Sequence, residues 1–180
     1  CRIGPEGTEA LLEGIRTWFR SHDLRAYDSR NHDGLLKILL LREGARTGQR
    51  MAVLITGPGF EHQESFVQVV AETWPAQSIH HAVSESRAGV AFAESATLLA
   101  GKPHIEEALQ IEGTDEALRF RISPFSFFQT NTLATERLYS RIRALVAPRT
   151  PAVLYDLYGG AGGIALACAD IVDRIVSVET

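Results

Sequence analysis

From Ala152 onward the chain follows a pattern that few folds accommodate. Ala152-Val153-Leu154-Tyr155-Asp156-Leu157 reads as a strand, Gly159–Gly163 as a glycine turn, Ile164 to Ile171 as a helix, and Arg174 to Glu179 as a second strand. That order is the opening β–α–β of a doubly wound α/β sheet. Glycines between strand and helix let the backbone approach a ligand and turn helix-terminal N–H groups towards it. Gly160-Ala161-Gly162-Gly163-Ile164-Ala165 fits the dinucleotide pattern with alanine last. Glu179 closes the second strand at the spacing of a carboxylate that accepts from ribose hydroxyls. Two cofactors suit this arrangement, a nicotinamide dinucleotide and S-adenosylmethionine, and a turn that binds nothing is the third reading. The acid at Asp156 and the aromatic at Tyr158 favour the methyl donor. Asp156 is a candidate for orienting the turn through backbone hydrogen bonds, and Tyr158 for lying along the ligand, although either also suits packing.

Upstream the pattern differs. Thr8 to Ser21 carries Leu11, Leu12, Ile15, Trp18 and Phe19 on one helical face. The apolar runs Leu35–Leu41 and Met51–Thr56, joined by the polar stretch Glu43–Gln49, predict a hairpin. A helix from Glu61 to Trp74 and a strand from Ile79 to Val83 follow. This order predicts an α+β layer with its helices on one sheet face. The pattern weakens from Val90 to Glu116, where short strands and loops are expected, including Lys102 to Leu109. Leu118–Ile122 alternates as a strand. Asn131 to Val146 reads as a helix capped by Asn131 or Thr132, with Leu133, Leu138, Ile142 and Leu145 near one face. The expected domains are an α+β central domain over 1–122 and, over 123–180, a linker helix with the first part of a Rossmann-like α/β domain.

A net charge of −4 argues against a generally basic nucleic-acid binder. Yet Arg119, Arg121, Arg137, Arg141, Arg143 and Arg149 fall in a stretch whose one acid is Glu136. Such a patch suits a phosphate backbone, or is simply a solvated face. Two distant cysteines, Cys1 and Cys168, make no disulfide framework, and Cys168 sits in an apolar run that suits a buried core position. There is no signal-peptide pattern and no apolar run long enough to span a bilayer, so a cytoplasmic setting and no membrane partner are expected. The chain opens on Cys1 rather than Met and stops at Thr180, and both ends are expected to be cuts through a longer protein.

The rarest stretch is Ser123-Pro124-Phe125-Ser126-Phe127-Phe128-Gln129-Thr130-Asn131-Thr132. Phe125, Phe127 and Phe128 lie too close in sequence to share one core face, so at least one is expected at a cleft, stacking on a ligand or base. Any one of them also suits a plug that closes the linker. Gln129 offers both donor and acceptor. This run, together with Asp156-Leu157-Tyr158-Gly159-Gly160-Ala161-Gly162 and the strand ending in Glu179, resembles the RNA uracil-C5 methyltransferases, which form 5-methyluridine in transfer or ribosomal RNA. Tyr27-Asp28, His32-Asp33-Gly34-Leu35, Arg42 and Thr47-Gly48-Gln49-Arg50-Met51 resemble the family's central domain less sharply. The resemblance implies that S-adenosylmethionine is held by Gln129, Tyr158, Glu179 and the backbone around Gly160 and Gly162. It implies that Phe127 stacks on a flipped-out uracil of an rRNA or tRNA partner. No protein partner is implied. Two departures stand out: many relatives carry Cys where Gly159 stands, and often a polar side chain at Gly163.

In the family's reaction a Cys thiolate adds to uracil C6, the enolate attacks the methyl group through C5, and a base removes the C5 proton. The resemblance puts that Cys and its partner Glu beyond Thr180, so no catalytic residue is expected here and the chain alone is expected to be inactive. Some relatives hold an iron–sulfur cluster, and Cys1 fits the position of its fourth ligand, as would an incidental cysteine. Competing readings are a nicotinamide-dependent oxidoreductase fragment, resting on the turn and Glu179, and a non-catalytic RNA-binding module, resting on the arginines.

Overall fold

The structure is a computed structural model that describes residues 4–87, 93, 95–149 and 152–179. The chain packs as two compact units that do not follow its order. The first gathers residues up to 44, 48–105 and 123–125; the second gathers 45–47, 106–122 and 126 onward.

The first unit is built on a four-stranded sheet. Helix α1 (Thr8–Ser21) precedes strands β1 (Leu36–Glu43) and β2 (Arg50–Thr56), then come helix α2 (Gln63–Thr73) and strands β3 (Ser78–Val83) and β4 (Thr97–Gly101). The sheet order is β1-β2-β3-β4, with β1 and β4 antiparallel to their neighbours and β2 parallel to β3 across α2. The apolar run at 51–55 reflects its place: β2 is interior and buried along its length from Met51 to Thr56. Leu11, Ile15 and Trp18 of α1 and Phe66, Val70 and Trp74 around α2 pack with Ala52, Leu54 and Ile79 in one core. Both helices therefore lie on one sheet face, as the order of elements predicts. Burying each of the fully enclosed Phe66 and Trp74 side chains contributes about 2–3 kcal/mol. The polar atoms of this core are mostly matched: Thr56 Oγ1 lies 2.9 Å from His81 Nε2, and Ser78 Oγ 2.8 Å from His80 Nε2. Burial holds both imidazoles below their ordinary pKa.

The second unit has less sheet. Strands β5 (Ile105–Leu109) and β6 (Leu118–Ile122) form one pair. Helix α3 (Thr132–Val146) leads, after a single 3₁₀ turn at Ala147–Arg149, to β7 (Val153–Leu157), helix α4 (Gly163–Ala167) and β8 (Arg174–Val178). β7 and β8 pair in parallel around α4, which is the expected β–α–β unit. Leu109, Ile111, Phe120 and Ala167 form a small core against which Phe128 and Tyr139 pack. The stretch expected to include a strand over Lys102–Leu109 contains β5 after a break at 102–104.

Two elements depart from expectation. α4 is five residues long, where Ile164 to Ile171 was predicted. The Arg143 guanidinium donates to the Ala167 carbonyl at 2.9 Å, taking the acceptor that a continuing helix would offer to Ile171. Helix α3 buries Thr132, Thr135, Glu136 and Arg143, while Leu133, Leu138 and Leu145 are about half exposed. Its polar side chains win the interior because ion pairs and hydrogen bonds await them there. Among the described residues, no helix is long and apolar enough to cross a membrane.

Candidate cofactor site

The start of α3 is fixed by carboxylates. Asn131 caps the helix, its side chain accepting from the Ala134 amide at 3.0 Å. Glu107 is almost wholly buried and accepts from the amides of Ala45 (2.6 Å) and Arg46 (3.0 Å) and from the Thr132 hydroxyl (2.8 Å). Glu136 takes a two-pronged bond from Arg46, at 3.0 and 2.7 Å, and a third from the Gln110 amide at 2.9 Å. The Arg46 guanidinium holds the Glu136 carboxyl below the usual range. These bonds anchor the residues that immediately follow the phenylalanine-rich loop. Sequence reasoning missed them, because neither Glu107 nor Arg46 stands in a motif.

Within that loop the phenylalanines divide. Phe128 packs its ring 5.3 Å from Phe120, centroid to centroid, and plugs the small core. Phe127 is 70% exposed. It also borders the glycine turn, its Cδ1 lying 3.8 Å from where a Cβ on Gly160 would stand. Gln129 is exposed.

The turn itself is closed by the end of β8. Glu179 accepts from the Gly160 amide at 2.8 Å, Val178 O from the Gly159 amide at 3.2 Å, and Gly159 O from the Gly162 amide at 2.8 Å. Gly160 and Gly162 adopt φ of 54° and 72°, a region that glycine enters without steric cost. Tyr158 enters it too, at φ 59°, and is 82% exposed. A left-handed tyrosine costs on the order of 1 kcal/mol, and such strain is found where a side chain must be aimed. The structure thus brings Phe127, Gly160 and Glu179 together, with Tyr158 and Gly162 on the same turn. Asp156 does not orient the turn through backbone bonds as expected. It is buried, its Oδ2 has no hydrogen-bond partner, and Glu179 performs that task instead.

The other candidates separate as follows. Arg143 is not a surface cation. Its guanidinium is buried against Asp170 Oδ2 (2.6 Å), Gly113 O (2.6 Å) and Ala167 O. Arg119, Arg121, Arg137, Arg141 and Arg149 remain exposed. Cys168 is fully buried, and burial pushes its thiol pKa up, which suits packing and disfavours the thiolate a nucleophile needs. Cys1, the candidate cluster ligand, lies outside the described residues. Among those described, no three His, Cys, Asp or Glu side chains gather as a metal site.

No family model matches the chain. Over 99% of its length it is 33% identical to an uncharacterized RNA methyltransferase of Protochlamydia amoebophila, and over all of it 28% identical to one of Lactiplantibacillus plantarum. It covers 44% and 37% of those proteins, so it spans about two fifths of the curated relatives it matches. The crystal structure of Pyrococcus abyssi tRNA (uracil-54, C5)-methyltransferase in complex with S-adenosyl-L-homocysteine superposes with a TM-score of 0.72 at 23% identity. That match covers 93% of this chain and 38% of that one. The resemblance to RNA methyltransferases therefore runs along the whole sequence, and the mixed α/β fold is that of part of a methyltransferase.

Proposed function

We propose that this chain is the central domain (1–122) and cofactor entry (123–180) of an S-adenosylmethionine-dependent, cytoplasmic RNA methyltransferase that methylates C5 of a uridine in rRNA or tRNA. The observation that carries the reading is the glycine turn closed by Glu179 with Phe127 beside it, in a chain similar throughout to RNA methyltransferases. The turn fits such a cofactor on two counts. Two of its glycines have positive φ and leave the backbone open to close approach, and beneath it lies a buried carboxylate oxygen with no partner. Gln129, Tyr158, Glu179 and the backbone at Gly160 and Gly162 would hold the cofactor, which supplies the methyl group. Glu179 would keep one oxygen on Gly160 and turn the other to the ligand. Phe127 would stack on the target base, and the five exposed arginines favour an RNA partner.

Glu179→Ala should weaken adenosylhomocysteine binding by about tenfold or more, since a charge-assisted bond and the shape of the turn are lost together. Gln129→Ala should weaken it less, and RNA affinity should stay nearly unchanged in both variants. NAD should not compete. The 180-residue chain should transfer no methyl group to RNA, since its one described cysteine is buried. Preference for NAD over adenosylhomocysteine would overturn the reading in favour of an oxidoreductase. Salt-dependent RNA binding with no nucleoside ligand would leave a binding module.

A further inference from the structure

Helix α3 has one side committed and one side open. Inward, Glu136 is taken by Arg46 and Arg143 by Asp170. Tyr139 also turns inward and fills the space of a side chain at Gly163, where a Cβ would lie 2.6 Å from its hydroxyl. Outward the helix presents Leu133, Arg137, Leu138, Arg141 and Leu145. Its one acid, Glu136, is buried, so the exposed side carries no carboxylate. Arg137 and Arg141 stand one turn apart on that side, about 6 Å along the axis. Neither has a hydrogen-bond or ion-pair partner among the described residues, whereas Arg149, just past the helix, gives a donor to the Leu145 carbonyl. Between the pair and the segment after β5 lies an open groove of about 570 Å³, lined also by Gln110, Ile111, Glu112 and Ser140. Its floor is fixed, because the Ser140 hydroxyl accepts from the Glu112 amide at 2.9 Å and donates to the Glu136 carbonyl at 2.7 Å. The two guanidinia are left as its charged donors, and Glu112 as its exposed carboxylate.

We propose that this side of α3, with Arg137 and Arg141 at its centre, holds the phosphate backbone of an RNA strand. The inference rests on the RNA substrate of the function proposed above, and goes further by assigning the surface that grips it. A guanidinium without a carboxylate partner keeps its charge and its fork of donors for a ligand, and phosphate accepts that fork through two parallel N–H bonds. Two such groups one turn apart on a helix reach one strand without any loop having to be ordered. Contacts of this kind set the position of a strand and carry no sequence information. They also release condensed counterions, so affinity falls steeply with salt. Arg119 and Arg121 stand on β6, alternating with the buried Phe120 and Ile122, and provide the comparison within the same unit.

The test is fluorescence anisotropy of the 180-residue chain with a labelled RNA stem-loop, repeated over a range of salt. Arg137→Gln combined with Arg141→Gln should weaken binding by about tenfold or more and lower the slope of log affinity against log salt by about 1.5. The loss should be the same for a stem-loop of scrambled sequence. Glu112→Gln should strengthen binding by about twofold, since it removes the groove's exposed negative charge; a misfolded variant would not gain affinity. Arg119→Gln with Arg121→Gln should change affinity less than the α3 pair, and adenosylhomocysteine affinity should not move in any variant. RNA binding that keeps its affinity and salt slope in the α3 variant would overturn the proposal and leave the RNA reading intact. A loss confined to one RNA sequence would make the contacts base-directed and overturn it as well. A wild-type chain that binds no RNA would remove both, and a dimer dissolved by the α3 substitutions would give the surface to a second copy.

Discussion

The two units solve the same problem with different materials. The first surrounds an interior strand with aliphatic and aromatic side chains, and its buried polar groups are hydroxyls and imidazoles, with no carboxylate or guanidinium among the described ones. Among its described residues the second has two pairs of strands and a small apolar cluster. It takes three carboxylates and the Arg143 guanidinium inside, while Leu133, Leu138, Tyr155 and Leu157 face outward. An apolar core gains from every area it removes from water and tolerates small errors of position. A polar interior gains little on balance and depends on each bond being made, because a lost partner leaves a stranded charge. The second unit is therefore the more easily broken by single polar substitutions, and it is the one that carries the turn.

The sharpest way to break this contrast is to open the apolar core. Phe66→Ala should cost the first unit about 3–5 kcal/mol, through lost burial and the cavity left behind. Urea unfolding followed by tryptophan fluorescence reads this selectively, since both tryptophans, Trp18 and Trp74, belong to that core. A loss below 1 kcal/mol would mean the core is not what holds the unit. Next in size, Arg143→Met should cost the second unit about 2 kcal/mol despite conserving apolar bulk, because two carbonyls and Asp170 lose a charged donor. Amide exchange at α4 should report it, and unchanged protection there would show that the guanidinium is dispensable.

The smallest effect is on pH dependence. His80 and His81 have folded-state pKa values below the ordinary 6.5, so the unfolded chain binds protons that the folded one refuses. Stability of the first unit should therefore fall as pH drops below 6.5. Glu136 and Asp170 are depressed by Arg46 and Arg143, so what they contribute persists until pH falls below their ordinary 4.5 and 3.8. Between pH 7 and 5.5 the tryptophan-detected urea midpoint should drop, while tyrosine NMR signals from Tyr139, Tyr155 and Tyr158 show no loss of structure. Loss in the reverse order would contradict the assignment.

Much of this was legible in the residues. The limits of α1 and β6, the hairpin, and the β–α–β around the glycines follow from periodicity and turn chemistry, which are local. Asn131 was readable as one of two cap candidates, beside Thr132, for the same reason. The inward face of α3 was not, because a hydrophobic count favours Leu133 and Leu138. The outcome depended on Glu107, Arg46 and Asp170, partners that sequence spacing does not reveal. That Tyr158 and Gly160 share a turn met by Glu179 was legible from the motif, but the bond to the turn's backbone, expected of Asp156, is made by Glu179. Tyr139 gave no signal at all: an aromatic within an amphipathic helix looks like ordinary packing until a glycine is seen to yield its space.

The turn at residues 45–47 has a consequence for how this protein can vary. Hairpin tips are ordinarily where a lineage inserts and deletes residues without penalty. Here consecutive amides, those of Ala45 and Arg46, meet one carboxylate on Glu107, and the next bond runs from the Arg46 side chain to Glu136. One residue more or fewer would misalign all of them at once. The loop that chain position marks as the freest to change in length is held to a single length by chemistry that lies about sixty and ninety residues away in sequence.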